Sequence, residues 1–137
     1  MKNQIGIWLD SANATIITLK GNEYDVKHIA SEIENRIHHP KESNQGTRLG
    51  IHHVNDEKKF EERIKHQLQH YFDEIIPYLK NADEIYIIGP AQIKVKLGKR
   101  LESEKQFEEK SIEIATADSM TENQLIAKFR DYFNVTV

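Results

Sequence analysis

The chain has 137 residues, a net charge of −3 with neutral histidines, 30% charged and 38% hydrophobic residues, and no cysteine. These values fit one folded domain, residues 1–137, with a polar surface, and they exclude disulfides, thiolate metal sites and thiol nucleophiles. The apolar run before Asp10 is five residues long, too short for a signal-peptide core, and no segment approaches membrane-spanning length, so the expectation is a cytoplasmic protein with no membrane partner.

Gln4 to Asp10 (QIGIWLD) is short, apolar and β-prone, which predicts a strand buried on both faces. Asp10-Ser11-Ala12-Asn13 reads as a turn, because Asp and Asn hydrogen-bond their own backbone. Ala14 to Lys20 predicts a second strand of β-branched residues, and Gly21-Asn22 a hairpin turn. Glu23 to about Glu34 alternates as a third strand, completing an antiparallel meander.

Arg36 to Asn55 (RIHHPKESNQGTRLGIHHVN) fits neither a helix nor an ordinary strand, and is expected to be a loop. Structureless loops of this length are uncommon in compact domains and are usually functional or disordered. With neutral histidines, its three cations (Arg36, Lys41, Arg48) against one acid (Glu42) give +2, which leaves −5 on the remainder of the chain. A local basic patch can bind phosphate even when the whole chain is acidic.

A helix follows from about Asp56 to Leu79, with Asn55 as N-cap and Asp56 and Glu57 suited to the positive end of the helix dipole. Phe60, Ile64, Leu68, Tyr71, Phe72, Ile75, Ile76 and Leu79 form one apolar stripe. Pro77 predicts a kink or early end near Asp73 to Ile76. Glu84 to Gly89 is a buried strand, and Pro90 suits the first turn of a helix carrying Ile93, Leu97 and Leu101 inward. Ser111 to Ala117 alternates as a strand, and Ser119-Met120-Thr121-Glu122 reads as a capping box. The last helix buries Leu125, Ile126, Phe129 and Phe133. The order β-β-β-α-β-α-β-α implies an α/β fold, one mixed sheet with helices on its faces. By analogy, a central first strand beside the Glu84 strand gives the three-layer arrangement of the ribonuclease-H-like fold.

Several constellations carry two readings. Asp10 ends a strand where a ribonuclease-H-like nuclease places a metal-binding carboxylate, with Asp118 or Glu57 as partner; the plainer reading is a turn lock with Asn13. His38-His39 and His52-His53 bracket the loop, but adjacent histidines point apart in an extended chain and match no compact metal motif. His66 and His70 share a helix face without an HExxH pattern, which favours a solvated face. Lys94, Lys96, Lys99 and Arg100 make their helix basic, either a phosphate-contacting surface or a solvated cationic side. There is no Walker or GxGxxG pattern and no GxSxG elbow, so no nucleotide cofactor is expected.

The ordered segments GIWLDSANATIITLKGNEYDV, IYIIGPAQIKVKL and SIEIATADSMTENQLIAKF, with a polar loop and a long helix between the first two, resemble a known family. It is the middle domain of archaeal and eukaryotic class I peptide-chain release factors and of Pelota, and the likeness is nearest to divergent or stand-alone bacterial relatives. It spans about residues 4–133, carried by an apolar strand ending in Asp10, by Gly89-Pro90 followed by Lys94, and by the spacing of the elements. In the release factors, the loop between the third strand and the long helix holds a Gly-Gly-Gln motif that promotes peptidyl-tRNA hydrolysis. The corresponding segment here contains Asn44-Gln45-Gly46-Thr47-Arg48 and no Gly-Gly-Gln, so the catalytic role is not carried over. The family's flanking codon-recognition and GTPase-partner-binding domains are not recognisable either. Pelota also lacks the motif and acts in ribosome rescue.

The resemblance therefore implies a translation-associated module that binds the ribosome or RNA without intrinsic catalysis, and the residues themselves lead to no expected cofactor or metal. The contact residues expected are Arg36, His38, His39, Lys41, Gln45, Arg48, His52, His53 and Lys94. Two alternatives stay open: a metal-dependent nuclease or phosphoesterase using Asp10 and Asp118, and a module whose sheet edge or loop binds a protein partner.

Overall fold

The computed structural model describes residues 3–34 and 50–134, with side chains at 3–34 and 56–134. In chain order the elements are β1 (Gln4–Leu9), β2 (Asn13–Lys20), β3 (Glu23–Ala30), α1 (Gly50–Leu79), β4 (Glu84–Gly89), α2 (Ile93–Glu102), β5 (Ser111–Thr116) and α3 (Glu122–Tyr132). A single 3-10 turn, Lys105–Phe107, lies between α2 and β5. Among the described residues, five strands form one mixed sheet in the order β3-β2-β1-β4-β5. β1 is central, antiparallel to β2 and parallel to β4, and β4 is parallel to β5.

The alternation of side chains along each strand separates two apolar layers. Ile5, Ile7 and Leu9 of β1 point to one face, where they meet Tyr71, Phe72, Ile75, Ile76 and Leu79 of α1 and Ile93, Leu97 and Leu101 of α2. Trp8, of opposite parity, joins Tyr86, Ile88 and the α3 residues Leu125, Ile126 and Phe129 on the other face. A central strand must be apolar at both parities to serve two layers, which is why β1 reads as a continuous hydrophobic run. Each fully buried side chain of this size contributes about 1.5–3 kcal/mol. The β2–β3 hairpin closes at Lys20↔Glu23, and Gly21 takes φ 64° in its two-residue turn, a left-handed conformation that glycine adopts without steric cost.

Several boundaries differ from the sequence expectation. β3 ends at Ala30, not near Glu34, because its partner β2 begins at Asn13, which pairs with Ala30, and leaves nothing further to bond. α1 begins at Gly50, six residues before Asp56, so Asn55 lies inside the helix. Pro77 does not end α1, which continues to Leu79, because buried Ile75, Ile76 and Leu79 hold the last turn against the sheet. α2 starts at Ile93 after a turn containing Pro90, so Pro90 stands outside the helix. The α3 capping box is Thr121 with Gln124, two residues beyond the one expected at Ser119.

Candidate functional site

β1, β3, β4 and β5 all run in one direction, so their C-terminal ends share one edge of the sheet. That edge carries Asp10, the Ser31–Glu34 segment, Gly89-Pro90 and Ala117-Asp118. In open α/β sheets, ligands bind outside this edge. Gly89 is confined there: a Cβ on it would lie 2.2 Å from the Leu9 carbonyl oxygen of the neighbouring strand.

The chain leaves this edge toward residues 35–49 through a set of hydrogen bonds. The Ser31 amide donates to the Ala12 carbonyl at 2.8 Å, and the Ser31 hydroxyl donates to the Ser11 carbonyl. Glu34 is then fastened to α1. Arg63 grips its carboxylate with Nε at 2.8 Å and Nη2 at 3.2 Å, a bidentate pair. Gln67 completes a reciprocal ring, accepting from the Glu34 amide at 2.9 Å and donating from Nε2 to the Glu34 carboxylate at 2.9 Å. The Glu34 hydrogen bond raises the Arg63 pKa above its ordinary guanidinium value. Just beyond the ring, Phe60, Glu61 and Ile64 line a shallow depression with Glu34.

Of the two carboxylates weighed as a nuclease pair, that of Asp10 is engaged in a turn, whereas Asp118 contributes only its backbone carbonyl. Asp10 Oδ1 accepts from the Ala12 amide at 2.9 Å and the Asn13 amide at 2.7 Å, locking the β1–β2 turn. The Asp10 carbonyl accepts from the Tyr71 hydroxyl at 3.1 Å, tying that turn to α1. The Asp118 carbonyl accepts from Trp8 Nε1 at 3.1 Å, and its residue is exposed. Among the described residues, no three His, Cys, Asp or Glu side chains converge as a metal site. On α1, the His70 imidazole pairs with Glu74 at 3.0 Å.

Of the residues expected to contact RNA, Arg36, His38, His39, Lys41, Gln45 and Arg48 lie outside the described residues. His52 and His53 fall within the first turns of α1, and their side chains lie outside the described set. Lys94 is 6% exposed, and its ammonium donates to the Ala91 carbonyl at 2.8 Å. It lies on the inward side of α2 with Gly98 and Leu101, whereas Lys96 and Lys99 are exposed. The Lys94 spacing, four before Gly98 and seven before Leu101, was a readable sign of the buried face. The Glu34–Arg63–Gln67 ring was missed, because nothing local in the sequence joins residues separated by an intervening segment.

No protein-family model matches the sequence, and no curated protein matches it. Solved structures do match in fold. Pelota from Archaeoglobus fulgidus superposes with a TM-score of 0.57 at 10% identity, covering 98% of this chain and 33% of the Pelota chain. Pelota from Thermoplasma acidophilum gives 0.55 at 17% identity, covering 95% of this chain and 32% of that one. The archaeal translation termination factor aRF1 gives 0.47 at 14% identity, over 96% and 38%. The chain thus has a Pelota-like fold and spans about a third of the length of the Pelota chains it matches.

Proposed function

We propose that this chain is a translation-associated module that contacts the ribosome or RNA, corresponding to the middle domain of Pelota and the release factors on a ribonuclease-H-like frame. The observation that carries this reading is the rooting of residues 35–49. Their upstream flank, Glu34, is fixed to α1 by Arg63 and Gln67 at the sheet edge where the C-terminal ends of β1, β3, β4 and β5 gather, in a Pelota-like fold. The segment joined there brings Arg36, Lys41 and Arg48 against the single acid Glu42, the composition a phosphate backbone selects. His38, His39, Gln45, His52 and His53 add groups that stack on bases or hydrogen-bond to their edges. With no Gly-Gly-Gln in the chain, the module acts by binding, not by hydrolysing peptidyl-tRNA.

Ribosome co-sedimentation from lysate, paired with RNA crosslinking, tests the reading. The chain is expected in the ribosomal pellet at low salt and to be released as salt rises, each phosphate contact contributing about 0.7–0.9 to the log–log slope. Changing Arg36, Lys41 and Arg48 together to glutamate is expected to move it to the supernatant. Recovery in the soluble fraction at low salt, with no RNA crosslink, overturns the proposal.

A further inference from the structure

β5 is the outer strand of the sheet beyond β4. Its side chains divide by parity. Ile112 and Ile114 pack partly buried against the core beneath α1 and α2, while Ser111 and Glu113 are exposed on the opposite side. On that side α3 lies mainly over β1 and β2. The space beside Glu113 is bounded by aromatic rings. Glu113 is in register with Tyr86 of β4, and the Tyr86 ring stacks on Tyr132 with centroids 3.7 Å apart and planes inclined by 5°. Tyr132 is 39% exposed and is the last residue of α3.

Three sources of negative potential meet here: the Glu113 carboxylate, the π faces of the tyrosine stack, and the carbonyl end of α3. Among the described residues, no hydrogen bond or ion pair engages the Glu113 carboxylate. Burial first, then the Glu113 charge, hold both phenols above their ordinary pKa, in keeping with a carboxylate close to both rings. All three sources attract a cation and repel a phosphate.

We propose that the β5 edge, together with Glu113 and the Tyr86–Tyr132 stack, docks an extended peptide segment of a partner protein in which basic and apolar residues alternate. The outer backbone groups of β5 extend the sheet to the incoming strand. Side chains of that strand alternate between the two faces. Its basic residues therefore meet Glu113 and Tyr132 on one face, while its apolar residues extend the Ile112–Ile114 layer on the other. This surface uses none of the residues of the cationic 35–49 segment.

The test is fluorescence anisotropy of the full chain with a labelled short peptide alternating arginine and valine, against the same peptide with glutamate in place of arginine. Saturable binding of the arginine peptide alone is expected. Glu113→Gln is expected to weaken it about fivefold, the scale of an exposed ion pair, and Tyr132→Leu by two- to fivefold or about that. Glu102→Gln, on α2, leaves it unchanged. Should Tyr132→Leu unfold the chain, the exposed Glu113→Gln change carries the test alone. The proposal is overturned by absence of saturable binding, by equal losses in Glu113→Gln and Glu102→Gln, or by an RNA oligomer displacing the peptide from the Glu113 surface.

Discussion

A Cβ added to Gly6 would sit 2.3–2.4 Å from three ring atoms of Phe129. Ordinary carbon contact is about 3.5–4 Å, so the Gly6→Ala change forces the ring to retreat by about 1 Å or more. The ring has little freedom: Phe129 is 0% exposed and meets Tyr86 edge-on, with centroids 5.9 Å apart. Overpacking of this kind costs about 1–3 kcal/mol, offset by about 0.4–1 kcal/mol as alanine narrows the unfolded ensemble. Taking the middle of each range, the net loss expected is about 1.3 kcal/mol. For a domain near this size that lowers Tm by about 2–8 °C, and urea unfolding moves its midpoint at constant slope. The Phe129→Leu change also costs stability alone, but it removes ring atoms from the clash. The double variant is therefore expected to lose less than the sum of the two by about 1 kcal/mol. Strict additivity, or a neutral Gly6→Ala, refutes the placement of α3 on β1.

Two further outcomes follow from other parts of the structure. Gln67→Ala removes both amide contacts to Glu34, so the Glu34 amide is expected to exchange with deuterium about tenfold faster while global stability falls by about 1 kcal/mol; unchanged exchange sinks the clamp. Burial, followed by the Asp10 and Glu74 charges, pushes the Tyr71 phenol well above its ordinary value. Above a pH of about 10 the unfolded chain releases this proton while the folded chain keeps it, so stability is full below that pH and falls as pH rises. Tyr71→Phe is expected to flatten that alkaline slope in thermal melts from pH 9 to about 11; a slope identical to that of the parent chain counts against the burial argument.

The sheet was legible because each strand advertised its environment. β1 is apolar at both parities, which only a strand with layers on both sides requires, and Ile5, Ile7 and Leu9 do face away from Trp8. Boundaries failed where two local signals overlapped. Ser119-Met120-Thr121-Glu122 and Thr121-Glu122-Asn123-Gln124 both satisfy the cap pattern, and the choice falls to the helix phase that seats Leu125, Ile126 and Phe129 in the core. Lys94 was read by its charge as part of a contact surface, whereas its phase places it inward, where the flexible stem lets the ammonium reach Ala91. The Glu34 ring had no local signal, since Arg63 and Gln67 meet Glu34 only once β3 and α1 are packed together.

Asp10 shows how the same residue type at the same strand end supports opposite chemistry. A metal acid and a turn lock both require a carboxylate just after β1, so the sequence admits both. The geometry shows the turn lock, with Oδ1 accepting two backbone amides at 2.7 and 2.9 Å. That turn, held to α1 through Tyr71, lies at the edge from which residues 35–49 depart. The surface around Glu113 belongs to the opposite side of the sheet and its other outer strand. A cationic segment at β3–α1 and an anionic edge at β5 call for partners of opposite charge. The two proposals therefore separate cleanly: reversing Arg36, Lys41 and Arg48 is expected to abolish ribosome sedimentation without removing arginine-peptide binding. Glu113→Gln is expected to weaken arginine-peptide binding about fivefold and leave ribosome sedimentation unchanged. Loss of both activities in either variant would mean that one surface, not two, carries the binding.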